Sequence, residues 1–321
     1  MSKILKSMLA VTLFGVAGIS QASAWPERAV QWVIPYPAGG GSDVIGRVVA
    51  SGLEKRLGQP IVVENKPGAA TIVGASYIQS AKSDGYVVGT ADSGTLAFNP
   101  SLYDSLKYDP AKFTYIGGLG RFPLMLAVKE DSPFKSVADV LDAARKEPGQ
   151  LTSASAGAGS PHHMALEMFK QRAGVQIQHV PYKGAAPALQ DILGGQVSLG
   201  FVDSASALAN IKAGKLRVLA VATPERIALL PQVPTMAEAG VPNFTAYAWQ
   251  GLVGPADLPG EVVEKLSNEL AASLKSEEID AKIRAMGVEP LPMPAAEFKR
   301  YSDAQRAEWA EVIKTAGIKL N

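Results

Sequence analysis

No cysteine occurs among the 321 residues. That excludes a disulfide scaffold, thiol catalysis, iron–sulfur clusters and cysteine-based zinc sites. Histidine is nearly as scarce, with three residues, which argues against a histidine-rich metal centre. An excess of one charge is missing too: 31 Lys and Arg stand against 30 Asp and Glu. A nucleic-acid binder would show a basic field, so no nucleic-acid partner is expected. What the chain does have is 47% hydrophobic and 19% charged residues. That is too apolar and too weakly charged for disorder. At this length a single core stops growing, so two domains are expected.

The long apolar run sits at the N-terminus. Lys3 and Lys6 precede an apolar stretch from Met8 to Ile19, and Ala22-Ser23-Ala24 follows. This is the three-part pattern of a secretory signal peptide over residues 1–24, cleaved after Ala24. The stretch is shorter than the roughly 20 residues needed to span a bilayer. No cysteine follows to carry a lipid. A soluble, exported chain starting at Trp25 is expected.

From there strand-like and helix-like patterns alternate. An apolar run from Gln31 to Tyr36 leads into Pro-Ala-Gly-Gly-Gly. Ser42 then opens a helical pattern with Val44, Ile45, Val48, Val49, Leu53 and Leu57 on one side, and Gly58 ends it. Strands are expected at 61–65 and 86–90, with a helix over 69–80 between them. Strand, Gly-rich turn and helix in repetition signal a parallel α/β sheet. The stretch 113–129 is long, apolar and interrupted by Gly117, Gly118 and Gly120, and reads as a crossover between domains. A second α/β series follows. Helices are expected at 136–146, with Ser136 and Asp139 as a capping box, from Ser160-Pro161, and at 185–193 and 204–213. Strands are expected at 151–154, 177–182, 197–202, 216–223 and 246–253. A helical tail carries Phe298, Tyr301, Trp309 and Val312 as its apolar stripe.

The chemistry points to anion binding by backbone. In Tyr36-Pro-Ala-Gly-Gly-Gly-Ser-Asp43, a Gly-rich turn joins a strand end to a helix start. Amides point outward there and the helix dipole adds partial positive charge, so a carboxylate fits without Lys or Arg. Open α/β sheets bind ligands at such places. The motif is neither a P-loop nor a dinucleotide fingerprint, and a plain tight turn is the alternative. Ser153 to Ser160 repeats the device in the second series. Two such loops facing each other would make the cleft of a hinged binding protein. Asp203, at the end of an apolar strand, is either a helix N-cap or a ligand contact. Asn65 and Lys66 sit at another strand end, where turn chemistry is the alternative. No nucleophile–base–orienter set emerges, so no enzyme, metal or cofactor is expected. His162 and His163 are adjacent and diverge by about 100° on a helix, so they cannot easily share a metal.

The ordered motifs resemble one family. They are Pro35 to Asp43, Val63-Glu-Asn-Lys-Pro-Gly-Ala69, Ser155 to Ser160 with His163, and Val180-Pro-Tyr-Lys-Gly184. They continue with Leu193 to Val197, Ile211 to Leu216, Val233 to Gly240 and Trp249-Gln-Gly-Leu252. Together they resemble the Bug family, the TctC-like periplasmic receptors of tripartite tricarboxylate transport systems. The resemblance implies an α/β, two-lobed, type II-like periplasmic binding fold. Each lobe would be a mixed, mostly parallel sheet flanked by helices, with the ligand cleft between. Lobe 1 would comprise 25–118 and 228–321, and lobe 2 would comprise 119–227. It implies a monomer in the periplasm that captures a small carboxylate: a dicarboxylate, an acidic amino acid or an aromatic carboxylate. Its partner would be the membrane permease, or alternatively a sensor kinase of a two-component system. The ligand-binding positions carried over are Tyr36, Ala38, Gly39, Gly40, Asp43, Asn65 and Ser93, then Ser155, Ala156, Gly157, Ser160 and Asp203. Asp203 would read the ligand's far end. Arg121 is either a partner for a distal carboxylate or a solvated charge in the crossover. His162 departs from the family pattern, which has the second histidine only.

Overall fold

The computed structural model describes residues 25–320, so the expected signal peptide lies outside the described residues. β1 (Val30–Ile34) carries the fully buried Trp32, Val33 and Ile34. It turns through Gly39 and Gly40 into α1 (Gly41–Leu57). Ile45, Val49, Leu53 and Leu57 of the expected stripe are buried against the sheet. Gly58 ends the helix at φ 68°, the left-handed conformation that glycine adopts without a Cβ penalty. β2 (Ile61–Asn65) returns parallel to β1.

The next helix starts later than the sequence pattern suggests: α2 is Ile72–Ser80. Ala69, Ala70 and Thr71 take φ of 44°, 49° and 76°, which breaks the expected first turn. The turn lowers Thr71 into the protein, where its hydroxyl meets that of Thr95 at 2.8 Å. β3 (Val87–Asp92) flanks β1 on its other side, again parallel. A short α3 (Asn99–Leu102) follows.

The stretch expected as a crossover is a single 16-residue strand, β4 (Thr114–Lys129). Its partners change part-way along. The second half of the chain then supplies α4 (Val137–Lys146), β5 (Thr152–Ser155), α5 (Pro161–Ala173) and β6 (Gln178–Pro181). After these come α6 (Ala185–Gly194), β7 (Leu199–Asp203), α7 (Ser204–Lys212) and β8 (Leu216–Val221). The chain returns through β9 (Tyr247–Gly254), α8 (Gly260–Leu274), α9 (Glu277–Ala285), β10 (Glu289–Pro290) and α10 (Ala295–Ala316).

The sheet runs β2-β1-β3-β9-β4-β7-β5-β6, with β8 and β10 also paired to β4. Each outer part is parallel, as the strand–helix–strand alternation requires. The middle is antiparallel, because β4 and β9 run against their neighbours. Residues 114–123 of β4 pair with β9. Residues 124–129 pair with β7 and β8. One strand therefore carries both halves of the sheet. The segment before β9 stays with the second half, where Met236 and Ala246 donate to the carbonyls of Val221 and Ala222.

Three cores hold these layers. One lies under α1 and α8 around Trp32, Ile45, Leu266 and Leu270. Another lies around Met125, Leu189, Ile192 and Val221. The largest contains Phe98, Phe169, Phe201, Phe298 and Trp309. The stripe on α10 is confirmed, with Phe298 and Trp309 buried and Tyr301 and Val312 packed at the edge. Gly251 makes this packing possible: a Cβ there would lie 2.1 Å from the Phe298 ring.

Candidate functional site

A cleft opens where β1, β4 and β9 meet the N-terminal ends of α1, α5, α6 and α7. β9 supplies Trp249 and Gln250, and β4 supplies Phe122. Next to it, a more open space is lined by Pro67 to Thr71 on one side and Gly157 to Ser160 on the other. Tyr36, Pro37, Ala156 and Gly184 border both spaces.

Backbone geometry prepares the cleft for an anion. α1 begins at Gly40 with no side-chain cap, so its first amides have no partner within the helix. α6 begins at Gly184, again uncapped, with Ala185 and Ala186 on the cleft wall. Gly184 has φ 133°, a conformation open only to glycine. Two uncapped helix ends thus present amide donors and dipole charge to one volume. α5 is different. Ser160 accepts from the His163 amide at 3.3 Å, and the Gly159 amide donates to His163 Nδ1 at 3.1 Å, so its donors are largely spent.

Of the expected positions, Tyr36, Ala38, Gly40, Ala156 and Asp203 line the cleft. Gly157 and Ser160 line the open space beside it. Three others support the loops from behind. Asp43 accepts from the Gly39 amide at 3.0 Å and pairs with Arg47 at 3.0 Å. Asn65 donates to the Tyr36 carbonyl and to Asp43, both at 2.9 Å. Burial pushes the Asp43 carboxyl up, but Arg47, the Gly39 amide and Asn65 together hold it below its usual range. Ser155 donates to the Gly157 carbonyl at 3.0 Å and meets His179 Nε2 at 2.6 Å. Ser93 is fully buried at the end of β3, and its hydroxyl has no partner.

Asp203 is the N-cap of α7, the first of the two roles its sequence position allowed, and it also lines the cleft. It accepts from the Ser206 amide at 2.8 Å and the Ser206 hydroxyl at 2.7 Å. His162 Nε2 donates to it at 3.2 Å. Burial raises the Asp203 carboxyl, but His162 and Ser206 outweigh burial and keep it below the ordinary value. His163, one residue on, turns inward and stacks on His179 at 3.7 Å. Arg121 faces away from the cleft. It pairs with Glu289 at 2.5 Å, lies over the Tyr247 ring and borders a different cavity.

Sequence reasoning passed over Asp92, Phe122, Gln250 and the start of α6. Asp92 accepts from the Tyr36 hydroxyl at 2.7 Å. Burial first, and then the Asp92 charge, push the Tyr36 phenol well above its usual value, so it stays a neutral donor. Gln250 accepts from the Ser42 hydroxyl at 2.8 Å and leaves its own amide nitrogen buried without a partner. Among the described residues no group of three or more His, Asp or Glu side chains is arranged to hold a metal ion.

Residues 45–318 match the family model described as the tripartite tricarboxylate transporter family receptor, TctC. The chain belongs to this family. Over 308 residues it is 31% identical to Protein BugT of Bordetella pertussis, covering 95% of this chain and 94% of BugT. A solved structure of R. palustris Rpa4515 with adipate superposes with a TM-score of 0.89 at 37% identity, covering 92% of this chain and 99% of that one. MatC of Rhodopseudomonas palustris with bound malate gives 0.84 at 28% identity, covering 90% and 100%. The receptor is thus a Bug-type solute-binding protein with the periplasmic binding fold.

Proposed function

We propose that this receptor captures a small carboxylate in the cleft between β1, β9 and α6 and delivers it to a tripartite tricarboxylate-type permease. One observation carries the reading: the uncapped N-terminal ends of α1 and α6 converge on one cleft whose walls, among the described residues, carry no Lys or Arg. Pre-aimed amides can hold a buried carboxylate that would otherwise be costly to desolvate. The bound adipate and malate of two relatives support the ligand class. The two-lobed division, export from residues 1–24 and the periplasmic setting complete this proposal. Bound ligand would favour the approach of the two halves by its differential affinity for that state.

The test is a thermal-shift panel on protein from Trp25, unfolded and refolded to remove carried-over ligand. It should include linear dicarboxylates, hydroxy acids, amino acids and aromatic carboxylates. A ligand at 100 times its dissociation constant adds about 2.7 kcal/mol of stability, a plain rise in Tm. A rise confined to carboxylates supports the reading. A flat response to all of them, from folded protein, overturns it.

A further inference from the structure

Building on the carboxylate reading, we infer that the acidic wall of the cleft selects a hydrogen-bond donor: the ligand is a monocarboxylate bearing an ammonium or hydroxyl group, not a doubly ionised dicarboxylate. Two carboxylates line the cleft, Asp92 from β3 and Asp203 from β7. Both are 4% exposed. Asp92 is met only by neutral donors: the Thr95 amide at 2.9 Å, the Thr95 hydroxyl at 2.8 Å and the Tyr36 hydroxyl. Asp203 is met by Ser206 and His162. Two carboxylates set against one imidazole leave this wall acidic.

No Lys or Arg among the described residues lines the cleft to offset it. Arg121 is committed to Glu289. Lys183 borders only the neighbouring open space. A second ionised carboxylate would therefore face like charge at short range in a buried setting. A ligand with no donor would bring no partner for the lone-pair sites that these contacts leave open. His162 Nδ1 is also buried without a partner. The uncapped starts of α1 and α6 supply the opposite preference for the ligand's own carboxylate. The cleft is thus polarised, with donors on one side and acceptors on the other.

The test is isothermal calorimetry near pH 7.5 on refolded protein, with two length-matched sets. One is adipate, 6-hydroxyhexanoate, 6-aminohexanoate and hexanoate. The other is succinate, 4-hydroxybutanoate, 4-aminobutanoate and butanoate. In at least one set the amino or hydroxy acid should bind about tenfold or more tighter than both the dicarboxylate and the plain acid. Which of the two wins separates ammonium from hydroxyl. Asp203→Asn keeps an N-cap acceptor for Ser206, so it should fold. It should cut the preference over the dicarboxylate about tenfold, and Asp92→Asn should act in the same direction. A dicarboxylate that binds tightest in both sets, or a preference unchanged in both variants, overturns the inference and leaves the carboxylate reading standing. Binding by no member of either set overturns the inference, and the carboxylate reading then stands or falls on the wider thermal-shift panel.

Discussion

Gly41 lies close to Asp203 across the cleft. A Cβ at this position would lie 2.8 Å from Asp203 Oδ1, closer than a carbon and a carboxylate oxygen tolerate. Gly41→Ala should therefore push the Gly-rich loop and the start of α7 apart. Alanine in a helix is favoured over glycine by about 0.5–1 kcal/mol, which offsets the crowding in the free protein. The expected outcome is a Tm nearly unchanged, with carboxylate affinity about tenfold weaker by calorimetry, equivalent to roughly 1.4 kcal/mol. Unchanged affinity would show that the contact between Gly41 and Asp203 plays no part in binding. This loop was legible in the sequence because glycines between a strand and a helix have a direct physical reading. The family resemblance also named Asp43 and Asn65, which brace the loop from behind and do not line the cleft. Asp92, Phe122 and Gln250 were not legible, because each comes from a different strand and only the sheet order brings them together. No spacing within the chain encodes that meeting.

Among the elements, helices with side-chain caps were the easiest to place. Ser136 accepts from the Asp139 amide at 3.2 Å while Asp139 accepts from the Ser136 amide at 2.9 Å, the reciprocal box expected of them. Ser160 caps α5 in the same way. The two caps make a paired prediction. Ser136→Ala and Ser160→Ala should each cost about 0.5–2 kcal/mol in urea denaturation. Only Ser160→Ala should also weaken ligand binding, because it loosens a loop that borders the open space beside the cleft. Equal binding by the two variants would reduce the Ser160 loop to a structural turn. Elements without such signals were missed or misplaced. α8 starts after Pro259 with no side-chain cap and was merged into a helical tail. α2 was started too early, since nothing in Ala69-Ala70-Thr71 announces three positive φ angles. β4 reads as a crossover between domains because its glycines interrupt the apolar run. In the sheet they permit close packing instead: a Cβ on Gly118 would lie 2.5 Å from the Leu291 carbonyl oxygen.

The whole molecule is joined through β4, and the second cleft loop rests on a half-buried histidine stack. His179 lies 3.7 Å from His163 with nearly parallel rings, and its Nε2 reaches Ser155. Burial, and then the neighbouring His163, lower the His179 imidazole from 6.5 to about 3. An unfolded chain takes this proton near pH 6.5, while the folded chain refuses it until about pH 3. In that window the unfolded state binds more protons, so folding stability rises with pH and is lost as pH falls. Asp43, Asp203 and Glu167 act in the same direction, because each is held below its ordinary value. Their contribution starts to fall only as pH drops through their unfolded values of 3.8 for the aspartates and 4.5 for the glutamate. Between about pH 6.5 and 5 the slope from His179 is therefore free of theirs. Urea denaturation of the ligand-free protein should show a midpoint lower at pH 5 than at pH 7. In His179→Asn the drop should be clearly smaller, since the side chain that resists protonation is gone. An equal drop in both proteins would mean that protonating His179 costs the fold little, and that the histidine stack does not hold the Ser155 loop against acid.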